Sequence, residues 1–132
     1  MQTIVVSGSV SNQQNIQNLV NTLANKYTVL DYPKPITGDF EKMYSQIHQT
    51  FMKSIAQTDV LLLFNYDKNG VQGYIGAAGF AELHFAVSLH AVYGKNIQTF
   101  IYQMPDKQVF CYDEIQRWLS LGWIQLWEGE KI

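Results

Sequence analysis

Between Gly73 and Lys95 the chain reads GYIGAAGFAELHFAVSLHAVYGK, and Glu82 is its only carboxylate. The rest is Ala, Gly, aromatic and aliphatic residues, with His84, Ser88 and His90 as the other polar side chains before Lys95. An acid walled by apolar groups costs several kcal/mol unless something compensates. Two explanations compete. An acid in an early helical turn is favoured by the macrodipole and needs no chemistry. Alternatively, the helix exists to hold a partly desolvated carboxylate that acts as nucleophile or acid–base group. Phe85 and Ala86, three and four positions on, and Ala78, four positions before, give Glu82 an apolar face, which favours the second. Burial raises such a carboxyl's pKa and a nearby helix N-terminus lowers it, and both influences are expected here.

A second group of residues suits ligand contact. Gly8-Ser9, flanked by Ser7 and Ser11, forms a turn from an apolar run into a helical pattern. Free amides and the dipole at such a helix start favour anions, and the hydroxyls add donors. A tight, well-capped turn is the plainer alternative. Neither G-x-G-x-x-G nor a Walker pattern is present, so standard dinucleotide or nucleoside-triphosphate binding is not expected. Asn65, Tyr74 and Gly76 join the candidate substrate contacts from a polar, Gly-rich loop further on. His84 and His90 are six apart and fall on different helix faces, and no H-E-x-x-H, Cys/His or G-x-S-x-G pattern occurs. A metal site or a serine triad is therefore not expected.

The totals narrow the classes. The 132 residues fit one domain, 1–132, and 47% hydrophobic with 15% charged residues excludes disorder. The net charge of −2 and scattered lysines leave no basic patch for nucleic acid. Arg117 is the only arginine, so a phosphate would be held by amides, hydroxyls or lysine, which favours an uncharged ligand end. Cys111 is the only cysteine, excluding disulfides within the chain and fitting a reducing cytoplasm. No apolar run suggests a membrane span or a signal peptide.

The elements that position these residues alternate. TIVVSGS reads as a strand, SNQQNIQNLVNTLANK as a helix begun by a Ser11–Gln14 capping box, and YTVL as a second strand. Asp39 caps a helix whose core stripe is expected to be Phe40, Met43, Tyr44, Ile47, Phe51 and Ile55. DVLLLFN is a strand buried on both faces, followed by the loop and the Glu82 helix. NIQTFIYQMP, CYDEIQRWLSLG and WIQLW complete strand, helix and strand, with Asp59 read as structural at the far end of the third strand. Right-handed crossovers then predict a three-layer, doubly wound α/β fold of flavodoxin or Rossmann type. Its five parallel strands take the order 2-1-3-4-5. Ligands sit where the winding reverses, between the first and third strands, which is where the serine turn and the Asn65 loop emerge.

SGSV on the first strand, DVLLLFN on the third and GYIGAAGFAELHFA at the third helix resemble the nucleoside 2-deoxyribosyltransferase-like superfamily over roughly residues 3–105. That group includes the 2'-deoxynucleoside 5'-phosphate N-hydrolases, and Tyr74-Ile75-Gly76 ahead of the acid resembles a bacterial branch of it. The resemblance implies that Glu82 attacks the anomeric carbon of a deoxyribose to form a glycosyl-enzyme ester, resolved by water or another base. No metal or redox cofactor is implied. Two expected residues are missing: the hydrolases' tyrosine falls at Val5, and their aspartate at Phe51. His48, one turn before Phe51, then becomes the candidate proton donor, with a solvent-exposed His48 as the alternative.

Three readings follow: an N-glycosidic enzyme acting on a nucleoside or nucleotide, a non-catalytic module binding a nucleotide derivative, and, more weakly, a flavin mononucleotide carrier. A homodimer or dimer of dimers is also expected. The helix from Ala78 to Tyr93 is apolar on every side and calls for burial on every side. Trp118, Trp123 and Trp127 are secondary interface candidates.

Overall fold

The computed structural model describes residues 1–132. The strands are β1 (Thr3–Gly8), β2 (Thr28–Asp31), β3 (Val60–Phe64), β4 (Gln98–Ile101) and β5 (Gln125–Leu126). The helices between them are α1 (Gln13–Leu23), α2 (Phe40–Gln57), α3 (Ala77–Ala91) and α4 (Tyr112–Leu121). The sheet is parallel throughout, with order β2-β1-β3-β4-β5. This is the doubly wound arrangement the alternation predicts.

Strand periodicity sorts the core into two layers. Val5, Leu61, Leu63 and Ile101 face α2, α3 and α4, meeting Ile55, Leu83, Ala86 and Ile115. Ile4, Val6, Leu62 and Phe64 face the other way, against Ile16, Leu19 and Leu23 of α1 and against Trp127. Every residue of β3 is buried, as a central parallel strand requires. At its start, the Asp59 carboxylate accepts from the Thr3 amide and hydroxyl, tying β1 to β3 at the end away from the site.

Four expectations need correction. The Ser11–Gln14 capping box does not form: Ser9 caps a short 3-10 turn, Val10–Asn12, and α1 starts only at Gln13. Of the stripe assigned to the core on α2, only Ile55 is buried and Phe51 partly so. Phe40, Met43, Tyr44 and Ile47 are 50%, 37%, 48% and 37% exposed. A helix of 18 residues is about 27 Å long, while the five residues of β3 span about 16 Å, so the first half of α2 overhangs the sheet. Third, α3 is not buried all round. Leu83, Ala86 and Val87 pack inward and the outward positions hold Ala77, Ala81 and His84, so the exposed apolar surface expected of Ala78 to Tyr93 is confined to Val92 and Tyr93 at its end, 70% and 78% exposed. Fourth, Trp118 and Trp127 are buried in the two core layers, leaving Trp123 as the exposed tryptophan.

Caps set the remaining boundaries. Asp39 accepts from the amides of Glu41 and Lys42 to start α2. Gly122, with φ of +75°, ends α4 in the left-handed conformation. No helix is long and apolar enough to cross a membrane.

Candidate active site

Two adjoining cavities open at the carboxyl ends of the strands. The first, of about 300 Å³, lies at the winding reversal and is lined by Gly8, Ser9, Asn65, Lys68, Tyr74 and Gly76, among others. The second, of about 510 Å³, lies between the β2–α2 loop, α2 and α3, with Glu82 and His48 in its wall. Gly8 and Ala78 line both.

Glu82 is the sixth residue of α3, one turn and a half into the helix, and is half-buried. Ser7, fully buried at the end of β1, donates its hydroxyl to Glu82 Oε1. Burial pushes the Glu82 carboxyl above its ordinary value; the Ser7 hydrogen bond pulls it back, and the negative charge of Asp31 adds a smaller upward push. The result is a carboxylate that is costly to ionise but steered towards ionisation by one donor. Ser7, expected among the substrate contacts, therefore acts on Glu82 instead.

The other predicted residues divide. Gly8 is favoured as glycine, because a Cβ there would press to 3.0 Å from the Phe64 carbonyl oxygen on the neighbouring strand. Ser9 Oγ contacts Ser11 Oγ at 2.7 Å and accepts from Lys68 Nζ at 3.4 Å. Tyr74, 38% exposed, carries the Lys68 ammonium 5.4 Å from its ring centroid. Gly76 caps α3 and borders the first cavity. Asn65 also borders that cavity, but its amide is fully engaged. It donates to the carbonyls of Gly73 and Gln103 at 3.3 and 2.7 Å. It accepts from the amides of Tyr102 and Gln103 at 2.8 and 3.2 Å. Asn65 thus docks the loop that leads into α3 rather than meeting a ligand.

Lys68 was missed, although a clue existed. Asn69-Gly70 is a dipeptide of two-residue hairpins, and both residues have positive φ, +52° and +76°. Lys68 and Val71 close that hairpin through reciprocal backbone bonds of 3.1 and 2.9 Å, which turns Lys68 back over Ser9. No acid lies within ion-pair distance of it: the ion pairs are Lys26–Glu130, Lys34–Asp31 and Arg117–Glu114.

His48 is partly buried and stacks on Tyr44, centroids 5.2 Å apart and planes 10° from parallel. It shares the second cavity with Glu82, as does Phe51, so the position where an aspartate was sought presents an apolar wall. His84 lies elsewhere, stacked on Trp118. No group of three or more His, Cys, Asp or Glu side chains is placed to hold a metal. The arrangement can therefore do carboxylate chemistry beside an aromatic surface, with a hydroxyl, a cation and helix-start amides close by. Neither a comparison with protein-family models nor one with curated proteins finds a match to this chain.

Proposed function

We propose that the protein cleaves or transfers the N-glycosidic bond of a nucleoside or nucleotide-like small molecule, with Glu82 as nucleophile, as a member of the nucleoside 2-deoxyribosyltransferase-like group. The observation that supports it most is a half-buried carboxylate, held by Ser7, in the wall of an aromatic-lined cavity that shares Gly8 and Ala78 with one lined by Ser9 and Lys68. In this reading the base lies against Tyr44 and Phe51, and the sugar's 5' end points to Ser9 and Lys68. A Glu82 oxygen bonds to the anomeric carbon as the carbon–nitrogen bond breaks, and its electron pair leaves with the base. His48 gives that base a proton. Water or an incoming base then displaces Glu82 and releases the sugar. No metal or redox cofactor is needed, and a cytoplasmic setting belongs to this reading.

Lys68 changes the expectation about the 5' end. With a free ammonium beside Ser9, a phosphate has a counter-charge despite the single arginine. The test is a panel of deoxynucleosides, deoxynucleotides and ribonucleotides, with free base followed by chromatography. At least one is consumed if the reading holds, and His48→Ala slows it about 10²-fold. Release of no base by any member overturns it. Phe51 in place of an acid favours a second reading, binding without turnover. That reading predicts ligand-dependent thermal stabilisation with no product.

A homodimer, or dimer of dimers, is also proposed, with its apolar contact at the carboxyl end of α3. Val92 and Tyr93 there are 70% and 78% exposed, whereas the exposed Phe40 and Tyr44 of α2 line the cavity assigned to the substrate. Light scattering at micromolar concentration should give twice the 15.1 kDa chain mass or more; a clean 15.1 kDa species overturns it.

A further inference from the structure

Ser7 is the only hydrogen-bond donor that the structure gives to Glu82, and its position explains why. Along β1, Val5 and Ser7 point to the same face, Val5 into the core beneath α3 and Ser7 one step nearer the carboxyl end of the strand. Ser7 sits in register with Leu63 of the central strand β3, which fixes its backbone on that side; the pairing with β2 ends at Val5–Asp31 and does not reach it. A hydroxyl on one rotatable bond, on so rigid a strand, loses little entropy when it holds a partner. The donor is itself fully buried, and without Glu82 it would be left unpaired.

The remaining charged and titratable groups around Glu82 do not substitute for it. Asp31 and Lys34, from the end of β2 and its following loop, line the same cavity and are bonded to each other at 2.9 Å. Asp31 also accepts from Ser54, and its charge opposes ionisation of Glu82. Tyr32 also lines that cavity, with the Lys34 ammonium 4.1 Å from its ring centroid, and Tyr44 and His48 of α2 stack on one another in the cavity wall.

We propose that Ser7 is the positioning residue of the site. Its hydroxyl fixes the Glu82 side chain through Oε1, leaves Oε2 without a protein partner, and stabilises the ionised form that attacks. This rests on Glu82 being the nucleophile. Ser7 does not touch substrate, so its loss should lower kcat while leaving KM nearly unchanged.

The test follows the Glu82 carboxyl carbon by NMR through a pH titration, in the native chain, Ser7→Ala and Ser7→Thr. Ser7→Ala should raise the Glu82 midpoint, and Ser7→Thr, which keeps the hydroxyl, should restore it. On any substrate found in the base-release panel, Ser7→Ala should cut kcat about tenfold at neutral pH. The acid limb of the profile should move in the same direction as the midpoint. An unchanged midpoint in Ser7→Ala overturns the proposal. A raised midpoint that threonine restores supports it, whether or not any N-glycoside is consumed. Failure of the proposed reaction is thus read separately, from the panel.

Discussion

Glu82→Gln should melt about 2–5 °C above the native protein while losing about 10³-fold or more of its glycosidic activity. The two effects share one cause. Glutamine keeps the shape and still accepts from Ser7, but it carries no charge to desolvate. Burial holds the Glu82 carboxyl above its ordinary value of 4.5, so the folded chain binds this proton more tightly than the unfolded chain does. Its contribution to stability is therefore present at low pH and is lost as pH rises from 4.5 through the folded value. At neutral pH the native protein carries the full cost and the variant does not, so their melting curves should converge on acidification. Calorimetry across pH checks this. A variant less stable than native at pH 7 would show that the carboxylate is structurally supported rather than held against its solvation. Stability given up at a reacting group is a general pattern.

The largest loss of stability is expected at the Asn65 clamp. Asn65→Leu leaves the carbonyls of Gly73 and Gln103 and the amide of Gln103 without this partner, and should cost about 3–5 kcal/mol. Gly73→Ala attacks the same junction from the other side. A Cβ there would lie 2.6 Å from the Met104 carbonyl oxygen and 2.7 Å from Pro105 Cα, on a backbone with φ of +64°. Gly70 provides the control: its φ is +76°, but nothing lies within 4 Å of its Cβ position. Gly70→Ala should therefore cost only the left-handed strain, about 1 kcal/mol. Urea unfolding of the three variants checks the ranking. Equal losses at Gly70 and Gly73 would mean that loop docking contributes little. Because the docked loop leads directly into α3, Asn65→Leu should also lower activity at temperatures where the protein stays folded.

Local rules were enough for the sheet. Alternating strand and helix patterns, the fully apolar DVLLLFN segment and the handedness of crossovers leave one simple winding, and the reversal point follows from it. Glu82 was legible for a related reason: a lone charge in an apolar helix is a local anomaly. The α2 stripe shows where periodicity stops. Spacing at 40, 43, 44, 47 and 51 reveals an apolar face but not what covers it. The cover depends on a length mismatch between helix and strand. Asn65 and Lys68 show another boundary. Whether an amide at a strand end faces a ligand or a backbone 38 residues away depends on how two loops meet. Spacing along the chain does not carry that information.

The two cavities meet at Gly8 and the exposed Ala78, which line both and are among the smallest side chains available. A junction lined by such small groups makes ligand length an easily mutable trait. Adding a few carbons at residue 78, one helical turn before Glu82, would narrow the passage between the two cavities beside the carboxylate while leaving Ser7 and the core in place. Gly8, held by the Phe64 carbonyl, has less freedom. Divergence among descendants of this chain should therefore appear first at position 78, as new substrate preferences on an unaltered reacting carboxylate.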